Sequence, residues 1–267
     1  MIHVIVCGIA GRMGGRLARL ISDSEDLELV GGTERPGHAA VGEDIGTVLG
    51  GKATGTQVTD DLRRIVQRGD VVIDFTAPAA TVEAARICGA AGKAMVVGTT
   101  GWSGEQQVQF EEAVQGIPCV LAPNYSVGVN LLFKLVEEAA RILGEGYDVE
   151  IVEAHHHLKK DAPSGTAVGL AQAAARGLHR NLDEVAVYGR EGIVGERRTE
   201  EIGIHAIRAG DMVGEHTVLF GGIGERIELV HRAQSRDTFA QGTLRAVRFV
   251  VKAPPGLYDM GDVLGIK

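Results

Sequence analysis

The chain has 267 residues, of which 45% are hydrophobic and 23% charged, a composition typical of a globular protein with a sizeable core rather than a disordered one. At about 150 residues per domain, the length favours two domains. The formal net charge of −8 gives no general attraction for nucleic acid or anionic lipid, so we expect neither as a partner. No apolar run approaches the roughly 18 residues of a membrane span and no cleavable leader is recognisable, so the expected location is the cytoplasm.

The three cysteines are Cys7, Cys88 and Cys119, and each lies in an apolar stretch without the spacing of a metal site. Their odd number and their surroundings predict reduced thiols in the core rather than disulfides or redox groups. This agrees with a protein of a reducing compartment.

The first half of the chain alternates between strand and helix patterns. Apolar runs predict strands at 2–7, 27–33, 71–76, 94–98 and 117–122, and helices are predicted after residue 12 and at 79–91 and 104–114. Alternation of this kind indicates a parallel sheet that is covered on both faces. Ligands of such sheets bind beyond the carboxyl ends of the strands, so the segments that follow each strand are the candidate binding loops.

The pattern changes after Ser126. A helix at 129–143 is followed by a strand at 147–154, a polar stretch, and a small-residue helix that begins near Ser164. Strands at 202–208, 216–220 and 226–231 are joined without long helices, which predicts an open, mixed sheet. A last helix is expected at about 236–252. The second half therefore has a different architecture from the first.

A glycine-rich turn connects the first strand to the first helix, with Gly8, Gly11 and Gly14 at its corners. Such a turn lets a pyrophosphate approach the amides at a helix N-terminus, although it is also compatible with close strand–helix packing alone. Glu34 ends the second strand, where an acid normally accepts hydrogen bonds from the ribose hydroxyls of a nicotinamide dinucleotide. Arg35 is placed to face a 2′-phosphate, so both NADH and NADPH are expected cofactors, unless the two side chains form only an exposed ion pair.

A polar stretch at 150–167 carries the second group of candidate residues. Histidine titrates near neutrality and lysine can donate a proton, so three consecutive histidines and two lysines favour general acid chemistry. Ser164 is a plausible N-cap, and the amides of Gly165 and Thr166 are placed to receive a carboxylate. A metal site, in which His155 and His157 share a strand face, is the competing interpretation, but no cysteine or second ligand cluster accompanies it. A polar surface strip without a role is the other alternative.

Together the two motifs resemble the 4-hydroxy-tetrahydrodipicolinate reductase (dihydrodipicolinate reductase) family, and the similarity extends along the whole chain. The second motif matches the active-site signature of that family over 150–167, and the glycine turn is similar to the family's cofactor loop. The matching positions are Gly11–Gly14, Asp74–Thr76, Gly98–Thr100, Ala122–Ser126, Glu150, Ile151, Glu153, His155, Lys159, Asp161, Pro163–Ala167, Gly195–Arg197 and Val213–Thr217.

The resemblance implies functional roles for the following residues, and it assigns none to the other matching positions. His155 would be the acid/base residue and Lys159 the proton donor, and His156, Gly165 and Thr166 would hold the carboxylates of the substrate. The residues implied to contact the dinucleotide are Gly8, Ile9, Ala10, Gly11, Arg12, Met13, Glu34, Arg35, Gly98, Thr99, Thr100, Ala122, Pro123, Asn124 and Tyr125. No metal is expected.

The family's fold and reaction follow from the same resemblance. It implies a Rossmann-like dinucleotide-binding domain at 1–126 and 236–267, and an α/β domain with an open mixed sheet at 127–235 that binds substrate and builds a homotetramer. NAD(P)H would deliver hydride to C4 of a cyclic imine dicarboxylate, and the resulting enamine would be protonated to tetrahydrodipicolinate, a step of lysine and diaminopimelate biosynthesis. The remaining alternatives are an amino-acid or aldehyde dehydrogenase of the same fold, a non-catalytic NAD(H) sensor and a metal-dependent hydrolase.

Overall fold

The structure is a computed structural model of the chain that describes residues 1–235 and 237–267. The strands are β1 (Ile2–Cys7), β2 (Leu27–Thr33), β3 (Val71–Asp74), β4 (Ala94–Val97), β5 (Pro118–Leu121), β6 (Asp148–His155), β7 (Ala186–Tyr188), β8 (Ile202–Arg208), β9 (Gly214–Gly221), β10 (Arg226–Ala233) and β11 (Gly256–Tyr258). The helices are α1 (Arg12–Ser22), α2 (Ile45–Val48), α3 (Pro78–Ala91), α4 (Gly104–Val114), α5 (Val127–Leu143), α6 (Gly165–Gly177), α7 (Leu182–Val185), α8 (Asp237–Val250) and α9 (Met260–Leu264). Within the two described ranges, we find no helix that is long and apolar enough to cross a bilayer.

The first of two compact units comprises Met1–Ser126, Phe239–Gly265 and Lys267 and is built around a parallel sheet. In the described residues this sheet has six strands in the order β11-β5-β4-β3-β1-β2, and every neighbouring pair is parallel. The strand order reverses between β1 and β3, where open sheets of this type bind ligands. The unit therefore has the predicted Rossmann-like architecture.

Helices cover both faces of this sheet because its strands are apolar on both sides. Val4 and Val6 of β1 pack into a core with α1 and α8, whereas Ile5 packs into a second core with α3 and α4. The three cysteines are all buried, as predicted, and burial raises the pKa of the Cys88 thiol to about 12. A thiol with that pKa stays protonated at neutral pH and is a poor nucleophile.

The strands of this unit differ from the sequence prediction by one residue at the ends of β4 and β5 and by more at β3 and in the C-terminal tail. The strand expected at 71–76 stops at Asp74, because the Asp74 carboxylate accepts hydrogen bonds from the amide and hydroxyl of Thr76 and closes a turn there. The tail after Pro254 contains β11, a three-residue strand beside β5, which is too short to give a readable pattern. The helix expected at 236–252 is α8, and Arg236 lies outside the described residues.

The second compact unit comprises Val127–Thr238 and Ile266 and contains the predicted mixed sheet. Its strand order in the described residues is β10-β9-β6-β8-β7, in which β9 runs antiparallel to both of its neighbours and the other pairs are parallel. Helices α5 and α6 pack on one face through Leu132, Val136 and Leu170. The alternation of β6 directs Val149, Ile151, Glu153 and His155 to this helix-covered face, so the strand delivers two polar side chains at its end.

Candidate active site

The glycine turn of the first unit combines tight packing with an open helix end. Gly8 has a φ of +66°, which only glycine adopts without strain, and a Cβ on Gly14 would lie 2.1 Å from the Gly8 carbonyl oxygen. Helix α1 begins at Arg12 after the N-cap Gly11, and no side chain of the described residues caps it. Its first amides can therefore receive the phosphates of a nucleotide, where the helix dipole also favours negative charge.

Glu34 and Arg35 lie beside this turn, on the wall of a cavity of about 540 Å³. The amide of Ala10 donates to Glu34 Oε1 at 2.9 Å, so the acid at the end of β2 is tied directly to the turn. Gly8 also lines this cavity. Its volume is within the range of small-molecule sites. The wall also contains Asp60, Leu62 and Ala80. The sequence did not predict these residues as cavity residues, because their positions match no recognisable motif.

The turns after β3 and β4 are joined by hydrogen bonds. The buried Asp74 carboxylate accepts from Thr76 and, at 3.1 Å, from the Thr81 hydroxyl, which in turn lies 2.8 Å from the Thr99 hydroxyl. Burial raises the pKa of Asp74, and the hydrogen bonds from the threonines oppose that rise. A Cβ on Gly98 would meet the ring of Phe75. Thr99 is buried in the turn after β4, whereas Thr100 is exposed.

The segment after β5 places its residues differently. Tyr125 is buried, with its hydroxyl 2.8 Å from the Val97 carbonyl and its ring 5.3 Å from that of Phe75. Its side chain thus belongs to the core. Ala122 is also buried, Pro123 is exposed, and Asn124 accepts from the Ser126 amide.

In the second unit, His155 ends β6 with its ring held by a buried acid. Its Nδ1 lies 2.5 Å from Oε2 of Glu153, a side chain with no exposed surface. Burial lowers the pKa of His155, the Glu153 carboxylate opposes this shift, and the Lys159 cation adds to it. The imidazole is therefore neutral at neutral pH, and it is close enough to Lys159 for the ammonium charge to lower its pKa.

Lys159 lies in a turn that starts directly after His155. The Lys159 amide donates to the His156 carbonyl, and the amides of His156 and His157 donate to the loop after β8, at the Met212 and Gly210 carbonyls. The Lys159 ammonium lies 2.9 Å from the Asp161 carboxylate, and this hydrogen bond lowers the pKa of Asp161. The loop after β8 thus fixes the backbone that carries the two predicted catalytic residues.

The N-terminus of α6 contains the remaining predicted substrate-binding residues of the second unit. Ser164 caps the helix by accepting from the Ala167 amide at 3.1 Å, and its hydroxyl lies 3.1 Å from Nε2 of His216. Gly165 and Thr166 form the first turn, and Gly165 is exposed. The helix end therefore presents its amides to solvent, as a carboxylate receptor requires.

The structure separates the predicted residues into two groups. His155, His156, Lys159, Gly165 and Thr166 lie between the end of β6 and the start of α6 in the second unit, and the predicted dinucleotide contacts all lie in the first. His157 lies beyond β6 with its Nδ1 bonded to the Gly210 carbonyl, so it does not share a strand face with His155 as the metal hypothesis assumed. In the part of the chain that the structure describes, no cluster of three metal-ligating side chains is present.

Comparisons with known proteins identify the family. Residues 2–125 match the model of the dihydrodipicolinate reductase N-terminus, and residues 128–264 match that of its C-terminus. The chain is 57% identical to the 4-hydroxy-tetrahydrodipicolinate reductase of Syntrophobacter fumaroxidans and 51% identical to that of Citrifermentans bemidjiense, with 100% of each chain covered. A solved structure of dipicolinate-bound dihydrodipicolinate reductase from Paenisporosarcina sp. TG-14 is 28% identical, with a TM-score of 0.76 over 97% of both chains. The resemblance found in the two motifs is confirmed, and the chain belongs to the dihydrodipicolinate reductase family.

Proposed function

We propose that this protein reduces a dihydrodipicolinate-type cyclic imine to tetrahydrodipicolinate, the reaction of 4-hydroxy-tetrahydrodipicolinate reductases in lysine and diaminopimelate biosynthesis. The observation that carries the proposal is the similarity, at 50 to 57% identity over the full length, to proteins of that name. The predicted enzyme class, an NAD(P)H-dependent oxidoreductase, is confirmed by the same comparisons. The amino-acid and aldehyde dehydrogenase alternatives retain no specific support.

The first unit has the features that a nicotinamide dinucleotide requires. The open N-terminus of α1 accommodates a pyrophosphate, and the cavity beside it presents the Glu34 carboxylate for ribose hydroxyls. Arg35 on the same wall is placed to pair with a 2′-phosphate. The bound cofactor supplies the hydride. The remaining predicted contacts are proposed to act through the turns after β4 and β5, at Gly98–Thr100 and Ala122–Tyr125.

The second unit is proposed to bind the substrate and to move its proton. The amides of Gly165 and Thr166 and the His156 side chain hold the two carboxylates, and the Lys159 ammonium adds a positive charge. The Lys159 ammonium delivers a proton, with the help of the neighbouring His155 imidazole, to the ring carbon next to the one that accepts hydride. Because the imidazole is neutral at rest, His155 can also take back a proton before the next turnover.

We further propose a cytoplasmic homotetramer, assembled through the second unit. Among the described residues, helices pack on one face of its sheet, and Ile207 and Val230 are 47% and 43% exposed on the other face. Light scattering should give four times the chain mass of 28.1 kDa. A monomer in solution would contradict this proposal.

The reaction itself is tested by a coupled assay. Freshly made dihydrodipicolinate synthase product is mixed with the protein and either NADH or NADPH, and loss of absorbance at the nicotinamide band is recorded. We expect rapid oxidation of at least one cofactor that depends on the synthase product. Cofactor binding without oxidation would instead indicate an NAD(H) sensor, and activity abolished by a chelator would indicate a metal enzyme.

A further inference from the structure

Glu153 is a fully buried carboxylate to which the proposed reaction assigns no role. Within the described residues its two oxygens accept four hydrogen bonds. Oε2 accepts from His155 Nδ1 at 2.5 Å and from one Arg208 nitrogen at 2.8 Å, whereas Oε1 accepts from the other Arg208 nitrogen at 2.8 Å and from the Ser164 amide at 3.0 Å. Burial would raise the pKa of Glu153, but the donors, Arg208 first, outweigh burial and lower it. The side chain is therefore an ionised acceptor.

An ionised carboxylate fixes the tautomer of the imidazole beside it. A carboxylate can only accept, so the proton of the neutral His155 ring must be on Nδ1, and Nε2 is left as the nitrogen that can exchange a proton. Gly214 keeps the space next to Nε2 open, since a Cβ at that position would lie 3.0 Å from Nε2. The ring therefore has one defined nitrogen, Nε2, for proton exchange, and glycine at position 214 avoids a side chain against it.

Arg208 extends the same arrangement to the segment that carries Lys159. Besides its two bonds to Glu153, its guanidinium donates to the Asp161 carbonyl at 2.6 Å. The strand register explains the pairing, since Arg208 of β8 lies directly opposite His155 of β6. His155, the Asp161 carbonyl and the Ser164 amide are thus all hydrogen-bonded to the Glu153–Arg208 ion pair. Lys159 lies in the segment between His155 and Asp161.

We propose that Glu153 and Arg208 are positioning residues for proton transfer, which keep Nε2 of His155 as the exchanging nitrogen and hold Lys159 and the N-terminus of α6 in place. This inference rests on the proposed function, because it assumes that His155 and Lys159 move the proton. Neither residue touches the substrate in this proposal. A buried Arg–carboxylate pair is weak evidence for a stabilising role alone, since desolvation offsets much of the attraction.

A second glutamate on the same strand provides a matched control. Glu150 accepts from Arg190, Arg197 and His205, the same kinds of partner as those of Glu153. It has the opposite parity on β6, so its side chain lies on the other face of the sheet, away from His155. A change of Glu150 to Gln removes a comparable ion-pair network without affecting the His155 tautomer.

The test compares Glu153→Gln with Glu150→Gln in the full chain. In Glu153→Gln, the amide group of the new side chain can donate to Nδ1 of His155, which would move the ring proton to Nε2. We expect kcat to fall by about 10²-fold to 10⁴-fold in Glu153→Gln, with the dissociation constant of NADH within about twofold of wild type. Glu150→Gln should keep kcat within about threefold. Equal losses of kcat in both variants would overturn the proposal.

Nitrogen-15 NMR of labelled histidine reads the tautomer directly, with the His155 signals assigned by their absence in His155→Gln. We expect wild-type protein to show a protonated Nδ1 and an unprotonated Nε2. The opposite tautomer in the wild type would overturn the proposal even if Glu153→Gln failed to fold, and even if the wild type showed no reductase activity. A folded wild type with the expected tautomer but no turnover would refute the proposed function and leave the tautomer assignment intact.

Arg208→Lys gives an independent variant that keeps the positive charge. Lysine cannot make the paired bonds of a guanidinium or reach the Asp161 carbonyl at the same time. We expect kcat to fall by about tenfold or more, while the protonated Nδ1 is retained because Glu153 stays ionised. Wild-type turnover in Arg208→Lys would remove Arg208 from the positioning pair.

Discussion

The glycine turn and the end of β6 are two candidate binding regions that present different chemical groups, backbone amides in the first and side chains in the second. Around Gly8–Gly14 the glycines lack side chains, so the turn presents backbone amides. One carboxylate, that of Glu34, accepts a hydrogen bond from the turn. At the end of β6 the chain presents titratable side chains, and the buried Glu153 carboxylate is hydrogen-bonded to two of them, His155 and Arg208. The first arrangement suits a cofactor that needs only to be bound and oriented, and the second suits proton transfer. Changes in the first region should therefore alter cofactor affinity, whereas changes in the second should alter turnover.

The largest expected effect is that of Lys159→Ala. Removing the proton donor should lower kcat by about 10²-fold to 10⁴-fold, and the dissociation constant of NADH should not change. Steady-state rates and a fluorescence titration with NADH measure the two quantities. Lys160→Ala, at the exposed neighbouring lysine, is the control and should keep wild-type turnover. A near-normal rate in Lys159→Ala would remove this residue from the reaction.

Gly14→Ala should show the opposite pattern to Lys159→Ala, because it should change the affinity for NADH rather than proton transfer. Its new methyl group would lie 2.1 Å from the Gly8 carbonyl oxygen, so β1 or α1 must shift. We expect a loss of up to about 3 kcal/mol in the free energy of unfolding and at least about tenfold weaker NADH binding. Gly104→Ala, at the start of α4 with open space around it, serves as the control for both measurements. Unchanged NADH affinity in a folded Gly14→Ala protein would show that the turn is only a packing feature.

The second region should also make the fold sensitive to acid through His216. Burial lowers the pKa of His216 to about 4 from the ordinary 6.5, and the neighbouring His155, His231 and Lys159 add to the shift while Glu153 opposes it. Between these two values the unfolded chain binds a proton that the folded chain does not. The stabilisation is therefore complete above about pH 6.5 and is lost as the pH falls toward 4.

Denaturant titrations at pH 7 and pH 5 measure this effect. The wild type should lose about 2 kcal/mol through His216 alone over that interval, and His216→Gln should lose correspondingly less. An identical pH dependence in both proteins would contradict the assignment of His216 as a buried neutral histidine.

The smallest expected effect concerns the choice of cofactor. Arg35→Ala removes the cation placed to pair with a 2′-phosphate, so NADPH should bind about fivefold to tenfold more weakly, equivalent to about 1 kcal/mol. NADH lacks that phosphate and is the internal control, and its affinity should not change. Equal losses for both cofactors would place Arg35 elsewhere than at the 2′ position.

The sequence predicted local features well and long-range contacts poorly. The β1–α1–β2 segment and the strand that ends in His155 were readable, because apolar periodicity and glycine positions depend only on neighbours in the chain. The Glu153–Arg208 pair joins residues 55 positions apart and follows from the register of β6 and β8, which no local pattern specifies. The spacing of Glu153 and His155, two residues apart on one strand, would have placed them on the same face, but it does not show which partner the acid selects.

The transfer of deuterium from C4-deuterated nicotinamide cofactor tests the proposed hydride transfer most directly. The protein is supplied with the labelled cofactor and freshly made synthase product, and the reduced ring is examined by mass spectrometry and NMR. We expect one deuterium at C4 of the product ring and a proton from solvent at the neighbouring carbon. Product without deuterium, or cofactor consumed without ring reduction, would contradict the proposed hydride transfer.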